Sequence, residues 1–241
     1  MGRFSNPKMW RPICIFLMVL LATSAAAGRI IYVDTDATGA NDGSSWANAY
    51  QYLQDALADA NSAGKLVEIR VAQGIYKPDQ GANQTPGDRE ATFRLINGVV
   101  VNGGFAGVGA GDPNARDITL YETILSGDLN GNDLQVGSPG SLWADFGRNE
   151  NSYHVVTGSG TDQTAILNGL TIADGSADDP SGSQFKKGAG MYCINGSPTL
   201  TFCTFSKNRA PYGSGGAIYS EKSNLTLSNC VLTINSTMSH P

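Results

Sequence analysis

The chain has 241 residues, of which 30 are glycine and only 15% are charged, and its formal net charge is −5. A low charge density with abundant Gly, Asn, Ser and Thr favours an extended stack of turns over a helical bundle. A net acidic chain is also a poor candidate for binding nucleic acid or an anionic membrane surface.

Residues 1–27 have the pattern of a secretory signal peptide. Three basic residues open the segment: Arg3, Lys8 and Arg11. An apolar run at 13–22 follows, and small residues end the pattern at Ala27. The run is too short to span a bilayer, and no later segment could cross one. Cleavage would leave 13 Lys plus Arg against 21 Asp plus Glu, and we expect a secreted or cell-surface bacterial protein.

Residues 28–65 predict one strand and one helix. Arg29–Asp34 is β-branched and aromatic, which is typical of a strand. Apolar residues recur at helical spacing from Ala47 to Ala60, and Gly64 ends the pattern. Because the first rung of a parallel stack has an open edge, we expect this amphipathic helix to cap it with Leu53 and Leu57 buried. Trp46 is expected to help seal the same end.

Short β-type runs separated by turn residues fill residues 66–235, and they predict about six rungs. The clearest runs are Val67–Ala72, Gly74–Tyr76, Phe93–Gly103, Glu122–Ser126, Tyr153–Thr157 and Asn168–Gly175. Four long loops interrupt them: Pro78–Glu90, Ala106–Thr119, Asp128–Asn151 and Ser176–Lys187. Long insertions in a solenoid emerge from its turns, where function usually resides.

The last part of the chain repeats itself without a gap at an offset of 27 residues, since 190–208 aligns with 217–235. The aligned pairs are Tyr192 with Tyr219, Leu200 with Leu227, Cys203 with Cys230, and Asn208 with Asn235. A fixed period of this length predicts stacked supersecondary units. The expected fold is therefore all-β, a right-handed parallel β-helix. Leu200 and Leu227 should stack as buried, inward-facing neighbours.

The equivalent cysteines and asparagines have structural interpretations. Cys203 and Cys230 would lie about 4.8 Å apart in a parallel ladder. We favour a small apolar stack of thiols over a disulfide, although the compartment is oxidising. Cys193 is the remaining cysteine after Cys14 leaves with the leader. Asn208 and Asn235 are expected to hydrogen-bond along the stack and so satisfy turn amides.

Two motifs carry a family resemblance. Phe205-Ser-Lys-Asn208 and Gly215-Gly-Ala-Ile218 resemble the repeats of chlamydial polymorphic outer-membrane proteins, which are marked by Phe-x-x-Asn and Gly-Gly-Ala-Ile. The neighbouring copy departs from both motifs. The Tyr-Val-Asp opening, the helix and the Ile-Arg-Val-Ala-x-Gly-x-Tyr rung also resemble secreted bacterial proteins of the pectin-lyase-like fold. The resemblance implies a surface or secreted β-helix and carries no active site, because these are packing motifs.

Catalytic residues of the kinds known on this fold are not evident. A lyase needs carboxylates holding calcium beside an Arg or Lys base, and a hydrolase needs paired carboxylates. From Ser181 onward the only acidic residue is Glu221, and the only histidines are His154 and His240. No catalytic triad, zinc spacing or phosphate loop can be assembled.

Two acidic clusters could bind a cation. The stretch Asp128, Asn130, Asn132 and Asp133 places oxygen ligands as at the start of a calcium loop. Its glycine stands at the fourth position where the motif has the sixth, and no Glu closes it. A second cluster contains Asp174, Asp178 and Asp179. In both, solvated loops that use Asn and Asp for turn chemistry are the alternative.

Two functional hypotheses are consistent with these sequence features. We favour a secreted or surface β-helix with a binding, adhesive or structural role, its partner a polysaccharide or another surface protein. The alternative is a polysaccharide lyase or glycoside hydrolase. Residues 236–241 have no apolar face that could cap a rung, so we expect an open C-terminal edge that self-associates. The chain would then be either a truncated gene product or a protein that finishes its stack with a partner.

Overall fold

The computed structural model describes residues 28–64, 66–181 and 184–237. The predicted signal peptide, residues 1–27, and residues 238–241 of the predicted tail lie outside this part. One α-helix, α1 (Leu53–Ser62), and three short 3-10 helices occur in it, at Pro139–Trp143, Phe146–Glu150 and Gln184–Lys186. All other regular structure there is β. The strands are β1 (Arg29–Val33), β2 (Val67–Ala72), β3 (Gly74–Tyr76), β4 (Phe93–Arg94), β5 (Val99–Phe105), β6 (Thr123–Ser126), β7 (Val156–Thr157), β8 (Ile166–Asn168), β9 (Thr171–Ala173), β10 (Met191–Ile194), β11 (Thr199–Thr201), β12 (Thr204–Ser206), β13 (Arg209–Ala210), β14 (Ile218–Glu221), β15 (Thr226–Ser228), β16 (Val231–Thr233) and β17 (Ser236–Thr237).

The strands form three main parallel sheets that the chain visits in a fixed order. Sheet A is β1-β2-β5-β8-β11-β15, sheet B is β16-β12-β9-β6-β3, and sheet C is β14-β10-β7-β4. A separate pair joins β13 to β17. From β2 onward the chain passes from A to B to C and then returns to A. This arrangement is consistent with the predicted parallel β-helix or solenoid.

In the last rungs, residues that are 27 positions apart in the sequence pair with each other across neighbouring strands. Tyr192 pairs with Tyr219 in sheet C, and Leu200 pairs with Leu227 in sheet A. The predicted alignment is therefore confirmed. Paired residues of a parallel ladder point to the same face, so a residue in one rung lies directly over its counterpart in the next.

Columns of apolar side chains build the core, one of them in sheet A and one in sheet B. In sheet A the register aligns Ile31, Ile69, Val101, Leu167 and Leu200, each at most 2% exposed. In sheet B it aligns Tyr76, Leu125, Ile172 and Phe205, also at most 2% exposed. Within each column, every side chain except the terminal ones is covered on both sides by its paired neighbours, so burial is nearly complete.

The outermost rung at the C-terminal end of the stack, formed by β15 and β16, is not covered in this way. Leu227 is 45% exposed and Leu232 is 52% exposed, although each pairs with a fully buried residue. The expectation that Leu227 is buried was therefore wrong, while its pairing was right. The reason is that β15 and β16 are the last strands of their sheets, so only one face of each side chain is packed.

The helix begins later than the sequence pattern predicts. Tyr50 is not helical: it accepts from the Asp34 amide and donates to the Tyr32 carbonyl, and it bridges to Val33. Leu53 and Leu57 are buried in the main core, as predicted, and α1 packs against β1, β2 and β4.

Trp46 packs against aromatic residues of β1 and β5, and its expected role in sealing the N-terminal end stays a prediction. Its ring packs edge-on against Tyr32 at 4.9 Å and against Phe105 at 5.6 Å between centroids. These residues form a small cluster apart from the main core.

The asparagines satisfy backbone groups between rungs, as predicted. The Asn208 side-chain amide donates to Ile172 O and to Asn235 Oδ1, at 3.0 and 2.9 Å, and its Oδ1 accepts from the Gly175 amide. Asn235 in turn donates to Phe205 O at 2.8 Å. These bonds connect successive turns from inside the coil.

The two paired leucines provide a test of the packing. We expect Leu200→Ala to lower the free energy of unfolding by about 2–5 kcal/mol, because it leaves a cavity between two rungs. Leu227→Ala should cost less than about 1.5 kcal/mol, because its side chain is half exposed. Denaturant unfolding of both variants measures the difference. Equal losses would contradict the assignment of β15 as the outermost strand.

Candidate functional site

The predicted loop Asp128–Asn151 folds over the coil around a buried guanidinium. Arg148 lies in the 3-10 helix Phe146–Glu150 and is fully buried. It forms ion pairs with two carboxylates of its own loop, Asp133 and Asp145, at 3.0 and 3.2 Å, and with Asp174 after β9 at 3.2 Å. A buried cation is tolerated only when it is paired in this way. Arg148 therefore fixes the loop to the rung that carries Asp174.

Two further arginines join three loops at the same side of the coil. Arg209, on β13, donates to Ser176 Oγ at 2.9 Å, Leu142 O at 2.9 Å and Asn149 Oδ1 at 2.8 Å. Arg89 donates to the carbonyl of Asn151 and to the carboxylate of Asp178. The five donors of a guanidinium suit this task, because loop carbonyls have no ladder partner.

A cleft with a volume of about 560 Å³ opens between these loops. Aromatic and proline side chains form much of its wall: Trp143, Phe146, Tyr153, Pro180, Pro211 and Tyr212. Phe146 is 81% exposed and Tyr212 is 51% exposed. The cleft thus combines open apolar rings with a small number of polar groups, which is the usual composition of a ligand site.

The charges in the cleft neutralise one another. Asp178 pairs with both Arg89 and Arg209, the second at 3.6 Å. Asp179 adds one further carboxylate to the lining. Since both arginines are engaged with Asp178, the cleft does not present an unpaired guanidinium to a ligand.

A column of stacked rings runs from the cleft along sheet C. The Arg89 guanidinium lies 4.2 Å from the Tyr153 ring centroid. The next centroid separations are 4.8 Å from Tyr153 to Phe185, 5.7 Å from Phe185 to His154, and 4.8 Å from His154 to Tyr192. Tyr219 and the Lys187 ammonium complete the column. The in-register pairing of Tyr192 with Tyr219 brings these two rings together.

Burial changes the pKa of Asp133 and Asp174, two carboxylates that pair with Arg148. It raises the pKa of Asp133 to about 7, against the lowering effects of the Asn151 amide and the Arg148 guanidinium. Burial also raises the pKa of Asp174, which the nearby charges of Arg148 and Lys207 only partly offset. Ionising either carboxyl therefore costs more free energy in the folded protein than in water.

Asp128 and Asp133, two of the residues predicted to bind calcium, are engaged by other groups. The Asp128 carboxylate accepts from the amides of Gly131, Asn132 and Asp133 and so closes its own loop. Asp133 turns to Arg148 instead. Within residues 28–64, 66–181 and 184–237, no group of three or more His, Cys, Asp or Glu residues could hold a metal ion. The side-chain oxygens of Asn130 and Asn132 take part in none of these hydrogen bonds or ion pairs. Calcium binding by the four residues stays a prediction.

Two carboxylates of the second acidic cluster pair with three arginines. Asp174 faces Arg148, and Asp178 faces Arg89 and Arg209. Its role in holding loops was not foreseen from the sequence, because the basic partners lie far away along the chain.

The three cysteines described are free thiols. Cys203 is buried below the last rung, and Cys230 follows it in the stack. Their mutual hydrogen bond raises the pKa of Cys203, and burial adds to the rise. This fits the predicted thiol stack.

No helix among the described residues has the length and apolar character needed to cross a membrane.

One comparison with known proteins gives a match, and it is local. Residues 202–221 match the model of the Chlamydia polymorphic membrane protein repeat. The match covers the segment that was recognised by its two motifs, and it contains Arg209, Tyr212 and Tyr219. No curated protein and no solved structure matches the chain.

The raised pKa of Asp133 predicts a pH-dependent stability. Its ordinary pKa is 3.8 and its folded pKa is about 7, so between these values the folded state alone holds the proton. Stability from this group should fall as pH rises from about 4 to about 7, by up to about 1.4 kcal/mol per pH unit, and should be constant above that window.

Asp133→Asn should remove this component of the slope, as measured by denaturant unfolding at several pH values. Asp36→Asn is the matched control, because Asp36 is exposed. An unchanged slope in Asp133→Asn would contradict the assignment.

Proposed function

We propose that this protein is a secreted or cell-surface β-helix that binds a neutral polysaccharide in the cleft between its loops and performs no catalysis. The observation that carries the proposal is the pair of open rings, Phe146 and Tyr212, beside polar groups in one cleft. The apolar faces of sugar rings pack on aromatic side chains, and their hydroxyls bond to planar polar groups.

The charge arrangement favours a neutral glycan over a polyuronate. A bound carboxylate is best held by a guanidinium that is free to form two parallel hydrogen bonds. Arg89 and Arg209 instead pair with Asp178, and Asp179 adds negative charge to the lining. An anionic sugar would therefore meet a carboxylate without gaining a free cation.

Surface location rests on three supporting features. The leader pattern of residues 1–27 predicts export. The chain carries a segment similar to a repeat of Chlamydia polymorphic membrane proteins. The architecture is a stack of parallel rungs, for which we retain the right-handed, pectin-lyase-like assignment and the capping role of α1 as parts of the proposal.

The alternative is a hydrolase or lyase of the same fold. The observation in its favour is Asp133, whose raised pKa of about 7 is typical of a general acid. Against it, the Asp133 side chain is only 6% exposed and is engaged by Arg148. We therefore place Asp133 in the support of the loops rather than in chemistry.

Ring truncation in the cleft tests the binding proposal. We expect Phe146→Ala and Tyr212→Ala each to lower affinity for a neutral glycan about tenfold, because each removes a stacking surface. Melting temperature should hardly change, because both rings are exposed. Binding to immobilised neutral glycans and to polygalacturonate would be compared.

Phe202→Ala is the matched control, since Phe202 is 50% exposed and lies outside the cleft. Equal loss in the control, or preferential binding of polygalacturonate, would contradict the proposal. Release of unsaturated product, detected by ultraviolet absorbance, or of new reducing ends would favour the enzyme.

The exposed outer rung supports a second interaction, self-association of the chain. Leu227, Val231 and Leu232 are 45%, 54% and 52% exposed on neighbouring strands. Such an edge pairs readily with another chain. Size-exclusion chromatography with light scattering should show concentration-dependent oligomers of the chain without residues 1–27, and Val231→Lys with Leu232→Lys should reduce them. A monomer over a wide concentration range would rule out this contact.

A further inference from the structure

Two thiols lie one above the other where the last two rungs turn from sheet A to sheet B. Cys203 stands between β11 and β12, and Cys230 stands at the equivalent position between β15 and β16. The ladders on either side, β11 with β15 and β12 with β16, keep the two corners in register. The carbonyl oxygen of Cys203 also accepts from the Val231 amide at 2.9 Å. Cys203 and Cys230 are therefore direct neighbours across the rungs.

The two side chains have the same orientation. The Sγ atom of each lies near the carbonyl oxygen two residues earlier in the chain, at 3.4 Å for Cys203 and 3.5 Å for Cys230. Each also reaches a carbonyl oxygen in the rung below, that of Leu167 at 3.7 Å and that of Leu200 at 3.5 Å. The thiols are hydrogen-bonded to each other. Rungs spaced by about 4.8 Å lie within the range of about 4.4–6.8 Å that separates the Cα atoms of a disulfide.

The two thiols differ in their access to solvent. Cys203 is fully buried, whereas Cys230 is partly exposed, because β15 and β16 are the last strands of their sheets. The hydrogen bond between the thiols lowers the pKa of Cys230 and raises the pKa of Cys203. The outer thiol is therefore the nucleophile that a dissolved disulfide reaches first, and the inner thiol is placed to attack second.

We propose that Cys203 and Cys230 form a disulfide that fastens the outermost rung to the rung below it. The oxidant is a low-molecular-weight disulfide such as glutathione disulfide. The Cys230 thiolate attacks one of its sulfurs and releases a thiolate, which leaves a mixed disulfide on Cys230. Cys203 Sγ then attacks Cys230 Sγ, and its proton passes to the second departing thiolate. Two protein thiols are thereby oxidised to one disulfide, and the oxidant is reduced to two thiols.

The position of the pair gives the crosslink a physical consequence. Leu227, Val231 and Leu232 leave the outermost rung about half exposed, so few buried contacts hold it. Such a segment opens locally at a low cost in free energy. A covalent link from its corner to the buried corner below reduces the conformational freedom of the opened state. Oxidation should therefore protect this rung against opening.

Cys193 is the matched control within the same chain. It is fully buried, and its counterpart in the next rung is Ser220, so no thiol lies at the equivalent position there. Its Sγ instead lies 3.4 Å from Gly158 O and 3.6 Å from Ser223 Oγ. Cys193 should therefore stay a free thiol under conditions that oxidise the other two.

Peptide mapping by mass spectrometry after incubation with glutathione disulfide tests the inference. Trypsin should release residues 188–207 joined to residues 223–241, lighter by two hydrogen atoms than the two reduced peptides together. The link should persist in Cys193→Ser and be lost in Cys203→Ser and in Cys230→Ser. Oxidation should slow amide hydrogen exchange in β14–β16 of the wild-type protein at least about tenfold, and should not change it in Cys203→Ser.

Four results would overturn the inference. They are a link that requires Cys193, a link between the Cys230 residues of two chains, thiols that stay free in excess glutathione disulfide, and a crosslink that leaves hydrogen exchange unchanged. Should Cys203→Ser fail to fold, Cys230→Ser provides the same comparison, because its side chain is partly exposed. Each of these results leaves glycan binding in the cleft untouched, so the two proposals stand or fall separately.

Discussion

Parallel, in-register pairing is the constraint on which the rest of this structure depends. Because each residue lies over its counterpart in the previous rung, the residue at one position meets the same kind of side chain above and below it. Leu200 between Leu167 and Leu227 is one case, and Asn208 above Asn235 is another. The register also fixes the number of residues that can stay inside a rung. Extra residues must leave the coil at the turns, and the long loops follow from this.

The loops have to satisfy their polar groups without a ladder, and buried arginines do this. Arg148 pairs with three carboxylates, and Arg209 donates mainly to loop carbonyls and polar side chains. The desolvation of these charges is expensive, so the net gain in stability is modest. What the network supplies is a defined position for each loop. Asp133 shows the cost, because burial raises its pKa towards neutrality even beside a guanidinium.

The same register explains why rings collect on one face. Tyr192 and Tyr219 stack because they are paired, with centroids 5.8 Å apart. His154 and Phe185 extend the column towards the cleft, and the column ends at Arg89. Rigid rings that lose little conformational freedom on binding are well suited to a recognition surface. The cleft and a smaller cavity lined by His154, Phe185 and Tyr192 therefore lie along one continuous wall of rings.

The sequence by itself determined the period, the pairing of Tyr192 with Tyr219 and Leu200 with Leu227, and the positions of the loops. These are predictable because a 27-residue repeat in a parallel stack is the pairing register, and insertions interrupt it visibly. Tertiary structure decided the rest. Tyr50 has helical spacing but is extended, because it pairs with the backbone of Tyr32 and Asp34. Leu227 belongs to the core column but is half exposed, because burial depends on what lies over a residue. Arg148 and Asp174 have no common sequence pattern, since they meet only after the loop of residues 128–151 folds back onto the coil.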